Sequence, residues 1–369
     1  MTSRPRLLRA VKVHGPSEVG KQDRKHVELT FINERLHANG VFSNVYSATL
    51  TSPRILPIAI KKCWPRNSLA RRSTVDPAAA KEDALREDAN DGKAEAELLT
   101  KLKHAHVVSL LYTFSVKVDQ DVCNCMILEF LPTDLGKMLK NRHHGKRINL
   151  LDAKLYSWQL FAALDFCASK GVAHRDVKPS NLLVDDDLGI LKLADFGNAK
   201  ILLAKESYPP YQVTRYYRAP ELVFGSHKYT TKVDTWAAAC VLGELLTGRP
   251  ILPGTGNHDQ GKLIASILGY PNDAQLKAMG CDRRPRLIRR DGRGLRSILP
   301  ESSVNACAFE LLNGIFKYEP YERLSYDFIL GHDFYDDLRK TPAPIRKGGR
   351  RLPDLDFWIS EESTQDSDD

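Results

Sequence analysis

The chain has seven cysteines but no C-x-x-C pair. An odd, scattered set argues against a disulfide scaffold and for reduced thiols inside a cell. Cys123 and Cys125 stand two apart and are expected on one face of a strand. No apolar run approaches the roughly 20 residues that a helix needs to cross a bilayer, so no membrane partner is expected. The start, MTSRPRLLRAVKV, is basic but lacks the apolar core and cleavage site of a signal peptide. These absences point to a soluble protein of the cytoplasm or the nucleus.

Glycine is scarce where one stretch would want it. In LHANGVFSNVYSA (36–48) the spacing G-x-G-x-x-G-x-V is met by Ala38, Gly40, Ser43 and Val45, with one glycine of three. The stretch alone leaves three readings open: a working phosphate lid, a decayed one, or an ordinary hairpin. Large apolar side chains are nearly missing from residues 63–92, which read as a charged loop with room for a short helix over Ala78–Asp88. Aromatic residues are absent from the arginine run of Arg283, Arg284, Arg286, Arg289, Arg290, Arg293 and Arg296. That argues against stacking on single-stranded nucleic acid. The run carries much of the net charge of +8 and reads first as a solvated basic loop, with an anionic partner as the alternative. Nucleic acid is not the expected partner.

What is present suffices for a large core. The 369 residues are 42% hydrophobic, enough for one large two-lobed domain or two ordinary ones. Residues 1–27 are polar, broken by Gly-Pro, and read as a disordered extension. From His26 to Ala59 the pattern favours strands: VELTF, GVFSNVYSATL and ILPIAIK. A helix is expected from Ala94 (EAELLTKLKHA), then two strands, VVSLLYTFSV and CNCMILEFL. After Pro132 helices dominate. LDAKLYSWQLFAALDFCASKG reads as an amphipathic helix ended by glycine, and TKVDTWAAACVLGELLTGRP as a helix buried all round. The tail EESTQDSDD is acidic and has no core-forming residues. The fold class is α+β.

The informative region is VAHRDVKPSNLLVDDDLGILKLADFGNAK (172–200). His174-Arg175-Asp176, Lys178, Asn181 and Asp195-Phe196-Gly197 resemble the catalytic loop and metal-binding D-F-G of protein kinases. Tyr216-Tyr217-Arg218-Ala219-Pro220-Glu221 resembles the A-P-E segment, and Ala59-Ile60-Lys61 the strand lysine. The resemblance implies a two-lobed kinase fold over 28–337, with a β-rich lobe at 28–130, a helical lobe at 131–337 and an extension at 338–369.

It also implies roles, and the residue types suit phosphoryl transfer, which is mostly positioning and charge neutralisation. Asp176 would orient the attacking hydroxyl and Lys178 would reach the γ-phosphate. Asn181 and Asp195 would hold Mg²⁺ through hard oxygen donors. Lys61 would grip the α- and β-phosphates of ATP. Its fixing carboxylate is Glu95, one turn before Leu99, with Glu97 as the alternative. Ala38, Gly40, Ser43 and Val45 would cover the nucleotide. Val45, Ala59 and Leu183 would sandwich adenine, with backbone pairing along Glu129-Phe130-Leu131 and Leu128 behind. Leu99, Leu110, Phe196 and His174 would form a second apolar stack. Glu221 would pair with Arg323, and Asp234 would hold the catalytic loop backbone.

The loop D-V-K-P-S-N resembles serine/threonine kinases, so serine and threonine of proteins are the expected acceptors. R-Y-Y-R-A-P-E-L, K-L-Y-S-W-Q-L-F, D-F-G-N-A-K and A-N-G-V-F-S-N-V-Y are most similar to glycogen synthase kinase-3, of which the chain looks like a divergent member. That family implies a phosphorylated tyrosine, here Tyr211, pairing with Arg215 and Arg218. It implies a preference for substrates already phosphorylated four residues downstream, held by three basic residues. Arg175 and Lys200 match two of them, while Ala94 stands at the third. Weakened dependence on priming is expected. Arg9 stands where an inhibitory serine would be, so that switch is expected to be missing. Arg71-Arg72-Ser73 offers a site for a basophilic kinase, a plain surface loop being the simpler reading. The segment DQGKLIASIL (259–268) keeps an apolar face that could dock scaffold proteins. A pseudokinase scaffold is the rival reading, opposed by the complete set Lys61, Glu95, Asp176, Lys178, Asn181 and Asp195.

Ala38 adds a methyl and Ser43 a hydroxymethyl to the lid. Neither blocks nucleotide at negative φ, whereas positive φ would cost about 1 kcal/mol. A stiffer lid and weaker ATP binding are expected, with Ser43→Gly lowering KM.

Overall fold

The alternation Ile58-Ala59-Ile60-Lys61 sorts side chains to the two faces of one strand. Ile58 and Ile60 are fully buried in a hydrophobic cluster. Ala59 and Lys61 take the opposite face. The computed structural model describes residues 5–13, 26–40, 43–64, 92–118, 121–143, 146–203, 206–208 and 215–355. It divides into two units. The first is Met1–Leu131 with Asp195–Asn198; the second is Pro132–Ala194 with Ala199–Asp369.

The first unit is built on β1 (Arg6–Lys12), β2 (His26–Asn39), β3 (Ser43–Ser52), β4 (Leu56–Cys63), α1 (Lys93–Lys101), β5 (Leu110–Val118) and β6 (Asp121–Glu129). The strands close into a barrel in the order β1-β2-β3-β4-β6-β5. Leu29, Phe31, Leu50, Ile58, Ile60 and Ile127 fill it. Each such side chain contributes about 1.5–3 kcal/mol by leaving water. Cys123 and Cys125 are both buried, on one face of β6 as expected.

Strand β1 corrects the reading of residues 1–27 as a disordered extension. Ala10 pairs with Val27, and Val11 with Thr113, so β1 closes the barrel. Leu8 and Ala10 turn inward while Arg9 and Leu7 stay exposed. The flanking arginines and Gly-Pro hid a short inward alternation. The proposed helix at 78–88, Ser73 and the acidic tail lie outside the described residues.

Helix α1 starts at Gly92, whose φ is 86°. A Cβ there would lie 2.8 Å from the Cβ and Sγ of Cys63, so both the left-handed backbone and the close approach call for glycine. The helix buries Glu95, Leu98 and Leu99, one face at i, i+3 and i+4.

The second unit begins with β7 (Thr133–Asp134), α2 (Leu135–His143), α3 (Leu150–Ser169), β8 (Val172–Ala173), β9 (Leu182–Asp185), β10 (Ile190–Leu193) and β11 (Lys200–Ile201). It continues with α4 (Pro220–Val223), α5 (Lys232–Thr247), α6 (Asn257–Leu268), α7 (Asp273–Ala278), α8 (Ala306–Ile315), α9 (Tyr326–Gly331) and α10 (Asp336–Arg339). Asn149 caps α3, accepting from the Leu151 amide. Helix α3 is not amphipathic as its sequence implies. Even Lys154, Ser157 and Gln159 are buried, each with a partner: Asp337, the Ala153 carbonyl and the Gly189 carbonyl. Helix α5 is buried nearly all round, as expected.

Glu221 and Arg323 form a bidentate pair at 2.8 and 2.7 Å, both side chains fully buried. The fold also runs past residue 337. Arg346, only 2% exposed, donates to Asp152, Tyr156 and Asp186, so this part of the supposed extension belongs to the second unit. Along the arginine run, Arg284 meets Asp273 at 2.6 Å, Arg289 lies over Tyr270 and Arg296 over Phe309. Six of the seven arginines are exposed.

Candidate active site

In the first unit, the residues expected around a nucleotide sit on the face of β3 and β4 opposite the barrel core. Val45 pairs with Lys61, and Ser47 with Ala59. Leu128 of β6 pairs with Ala59. At the β2–β3 turn Ala38 pairs with Val45, and the Gly40 amide donates to the Ser43 carbonyl at 3.0 Å. Positive φ outside glycine occurs, among the described residues, at Asn33, Arg175 and Asp195. Ala38 and Ser43 are therefore unstrained. Gly40 is the constrained position, because a Cβ there would lie 2.9 Å from the Ser43 oxygen.

Strand β4 presents Lys61 to α1. Lys61 Nζ donates to Glu95 Oε1 and Oε2 at 2.7 and 2.8 Å and to Asp195 Oδ1 at 2.7 Å. Burial alone would lower the lysine pKa. The carboxylates of Asp195 and Glu95 outweigh it and hold the ammonium well above its ordinary range. The alternative carboxylate, Glu97, faces solvent. Asp195 has φ 63° and a side chain 45% exposed, so the carboxylate is reachable from solvent. Leu99, Leu110 and Phe196 are buried in this unit. At Glu129 the amide donates to the Ser109 carbonyl and the carboxylate accepts from the Ser109 amide at 2.7 Å, which fixes the segment leading to buried Leu131.

The second unit holds the other half of the set. Lys178 Nζ donates to Asp176 Oδ2 at 2.8 Å. Asn181 Nδ2 donates to the Asp176 carbonyl at 2.8 Å and to Oδ2 at 3.1 Å. Both amide hydrogens are thereby spent on Asp176, and Oδ1 is left as an acceptor. The Asn181 carbonyl accepts from the Ala194 amide, one residue before Asp195. Leu183 is half-buried on β9, pairing with Lys192 of β10 and Asp134 of β7.

Asp234, 2% exposed, supports this loop from α5. It accepts the His174 amide at 2.7 Å and the Arg175 amide at 2.9 Å. Burial pushes its carboxyl up to about 7, against the pull of those two amides. Arg175 sits at φ 67°, a conformation that costs an L-residue about 1 kcal/mol or more and persists because its neighbours enforce it. The His174 ring takes the Asp176 amide on Nδ1, so its Nε2–H faces the Ala194 carbonyl at 3.0 Å.

Arg175 Nη1 donates to the Tyr229 hydroxyl at 3.0 Å, and Lys200 lies over the Tyr208 ring. Neither tyrosine is marked by any sequence pattern. Arg218 is buried and donates to Asn257 at 2.7 Å, while Arg215 is exposed. Tyr211 lies outside the described residues. Of the apolar residues of α6, Ile264, Ala265 and Ile267 are buried while Leu263 and Leu268 are half-buried. No helix of the described residues is long and apolar enough to cross a membrane.

A protein kinase domain model matches residues 67–335. The chain is 36% identical over 330 residues to a putative serine/threonine-protein kinase, gskl-1, of Caenorhabditis elegans, covering 89% of this chain and 85% of that one. It is 38% identical over 249 residues to protein kinase gsk31 of Schizosaccharomyces pombe, covering 66% and 65%. It is 37% identical over 271 residues to protein kinase gsk3 of the same yeast, covering 71% and 70%. The chain belongs to the protein kinase family, and within it to the serine/threonine kinases resembling glycogen synthase kinase-3, from which it diverges. The family match starts after Lys61, so the place of that lysine rests on its own contacts.

Proposed function

We propose that this kinase transfers the γ-phosphoryl group of ATP to serine and threonine of protein substrates, with reduced demand for prior phosphorylation. The observation that carries the first part is Lys61, fixed between Glu95 and Asp195. An ammonium held in place needs no reorganisation when phosphate charge arrives. Asp176 accepts or orients the proton of the acceptor hydroxyl. Lys178, 2.8 Å away, pairs with that carboxylate and offers positive charge to the transferred group.

The donors present fit Mg²⁺. The exposed edge of Asp195 and Oδ1 of Asn181 are hard oxygens, and this ion usually takes one or two such ligands beside substrate phosphates. When bound, it neutralises phosphate charge. Val45, Ala59 and Leu183 serve adenine, with Leu128 behind and Glu129 and Leu131 offering backbone groups. Ala38, Gly40 and Ser43 form the lid over the phosphates. Arg215 and Arg218 follow Tyr211 in the chain and serve its phosphate if it is modified.

The reduced demand for priming is carried by Ala94, which brings no charge where the family has its third basic residue. Each lost charge-assisted contact is worth roughly 1.5–3 kcal/mol. A peptide library phosphorylated by wild type and by Asp176→Asn tests the reading. Phosphoserine and phosphothreonine from wild type alone support it. Phosphotyrosine, or equal signals from both proteins, overturns it.

A further inference from the structure

The two cations assigned to a substrate phosphate, Arg175 and Lys200, are already engaged by a pair of tyrosines. Lys200 Nζ sits 5.1 Å above the centre of the Tyr208 ring. Arg175 Nη1 donates to the Tyr229 hydroxyl at 3.0 Å. The two rings lie 6.0 Å apart and tilted, so one aromatic pair joins both cations.

Tyr208 is not a passing side chain. It is 3% exposed, and its amide donates to the His227 carbonyl at 2.8 Å. Its hydroxyl accepts from the Leu203 amide at 2.7 Å and donates to Glu206 Oε2 at 2.8 Å. The ring therefore has four fixed points: its amide, its hydroxyl, its neighbour Tyr229 and the Lys200 ammonium. It also anchors a carboxylate nearby.

We infer that Tyr208 sets substrate choice in this kinase, closing the anion site beside Lys200 and Arg175 against a phosphorylated substrate. This rests on the kinase reading above. A phosphoserine reaching Lys200 must displace a buried ring from the ammonium. It must also bring nearly two negative charges toward Glu206. An unphosphorylated side chain meets neither obstacle. Ala94 removes one attraction for the phosphate; Tyr208 adds an obstruction that acts within the second unit alone.

The test uses the full chain and two peptides that differ only in a phosphoserine four residues after the acceptor serine. Binding by fluorescence anisotropy reports on the anion site whether or not transfer occurs; kcat/KM on the same peptides reports on the kinase reading separately. Wild type and Tyr208→Phe are expected to bind both peptides within about twofold. Tyr208→Ala and Tyr208→Ser are expected to shift the ratio toward the phosphorylated peptide by about tenfold, the size of one charge-assisted contact. Two results overturn the inference: wild type favouring the phosphorylated peptide tenfold, or folded Ala and Ser variants with an unchanged ratio. If the small variants do not fold, wild type decides. Competition by the phosphorylated peptide no better than by its unmodified twin supports closure, and markedly better competition overturns it.

Discussion

Lys61 Nζ contacts both oxygens of Glu95 and one of Asp195, all within 2.8 Å. One ammonium thus gathers carboxylates from 34 and 134 positions away in the chain. Removing one partner of a buried pair costs about 3–5 kcal/mol. Glu95→Gln is therefore expected to lower kcat/KM by more than about 100-fold, by the conversion of about 1.4 kcal/mol per tenfold. Glu97→Gln, altering a solvent-facing side chain, should stay within about twofold. Steady-state kinetics at saturating peptide distinguish the two, and equal effects would remove Glu95 from its role.

The catalytic loop depends on Asp234. Asp234→Ala removes the carboxylate that accepts the His174 and Arg175 amides, at about 1–3 kcal/mol each. The positive φ of Arg175 then loses its restraint. Both Tm and kcat should fall, kcat by more than about tenfold, while ATP affinity from the first unit changes little. Titration of nucleotide binding beside kcat checks the split.

In the lid, Gly40 and not Ser43 is the sensitive position. Gly40→Ala places a Cβ 2.9 Å from the Ser43 carbonyl and must displace the turn. KM for ATP should rise severalfold. Strain at Ser43 is absent, so Ser43→Gly is left with only the small effect of a looser backbone, lowering KM less than Gly40→Ala raises it. A larger effect from Ser43→Gly would reverse this ranking.

Stability at acid pH should report on Asp186. Burial alone would raise its pKa, but hydrogen bonds from Tyr156 and Arg350 and the charges of Arg350 and Arg346 hold it below the ordinary value of 3.8. A carboxylate with a depressed native pKa stabilises above its unfolded pKa and loses that contribution as pH falls through the native one. The group is partly exposed, so its contribution at pH 7 is about 1–2 kcal/mol after discounting for solvent. Urea unfolding of wild type and Asp186→Asn should differ by this amount at pH 7 and converge only as pH falls through the native pKa, below 3.8. A constant difference across that range would contradict the assignment.

Much of this was legible in the sequence because it is local. The spacing of Asp176, Lys178 and Asn181 is short, and the strand–helix pattern put Glu95 one turn before Leu99. The pairs Glu221–Arg323 and Asp234 with the loop backbone were legible through the family resemblance. The rest depends on contacts far apart in the chain. Strand β1 hides because only Leu8 and Ala10 turn inward between exposed arginines. Arg346 looks like a surface cation until Asp152, Tyr156 and Asp186 surround it. Helix α3 looks amphipathic until Lys154 and Gln159 are seen to be buried with partners at residues 337 and 189. Tyr208 has no pattern to announce it, since two of the neighbours that fix it, His227 and Tyr229, lie far along the chain.

This divergent chain is a working kinase. Transfer of labelled phosphate from ATP to a serine/threonine peptide library, by wild type and by Asp195→Ala prepared identically, tests it most directly. Strong transfer by wild type and loss of at least about 100-fold in the variant are expected. Equal transfer by both, or none by either, would contradict it.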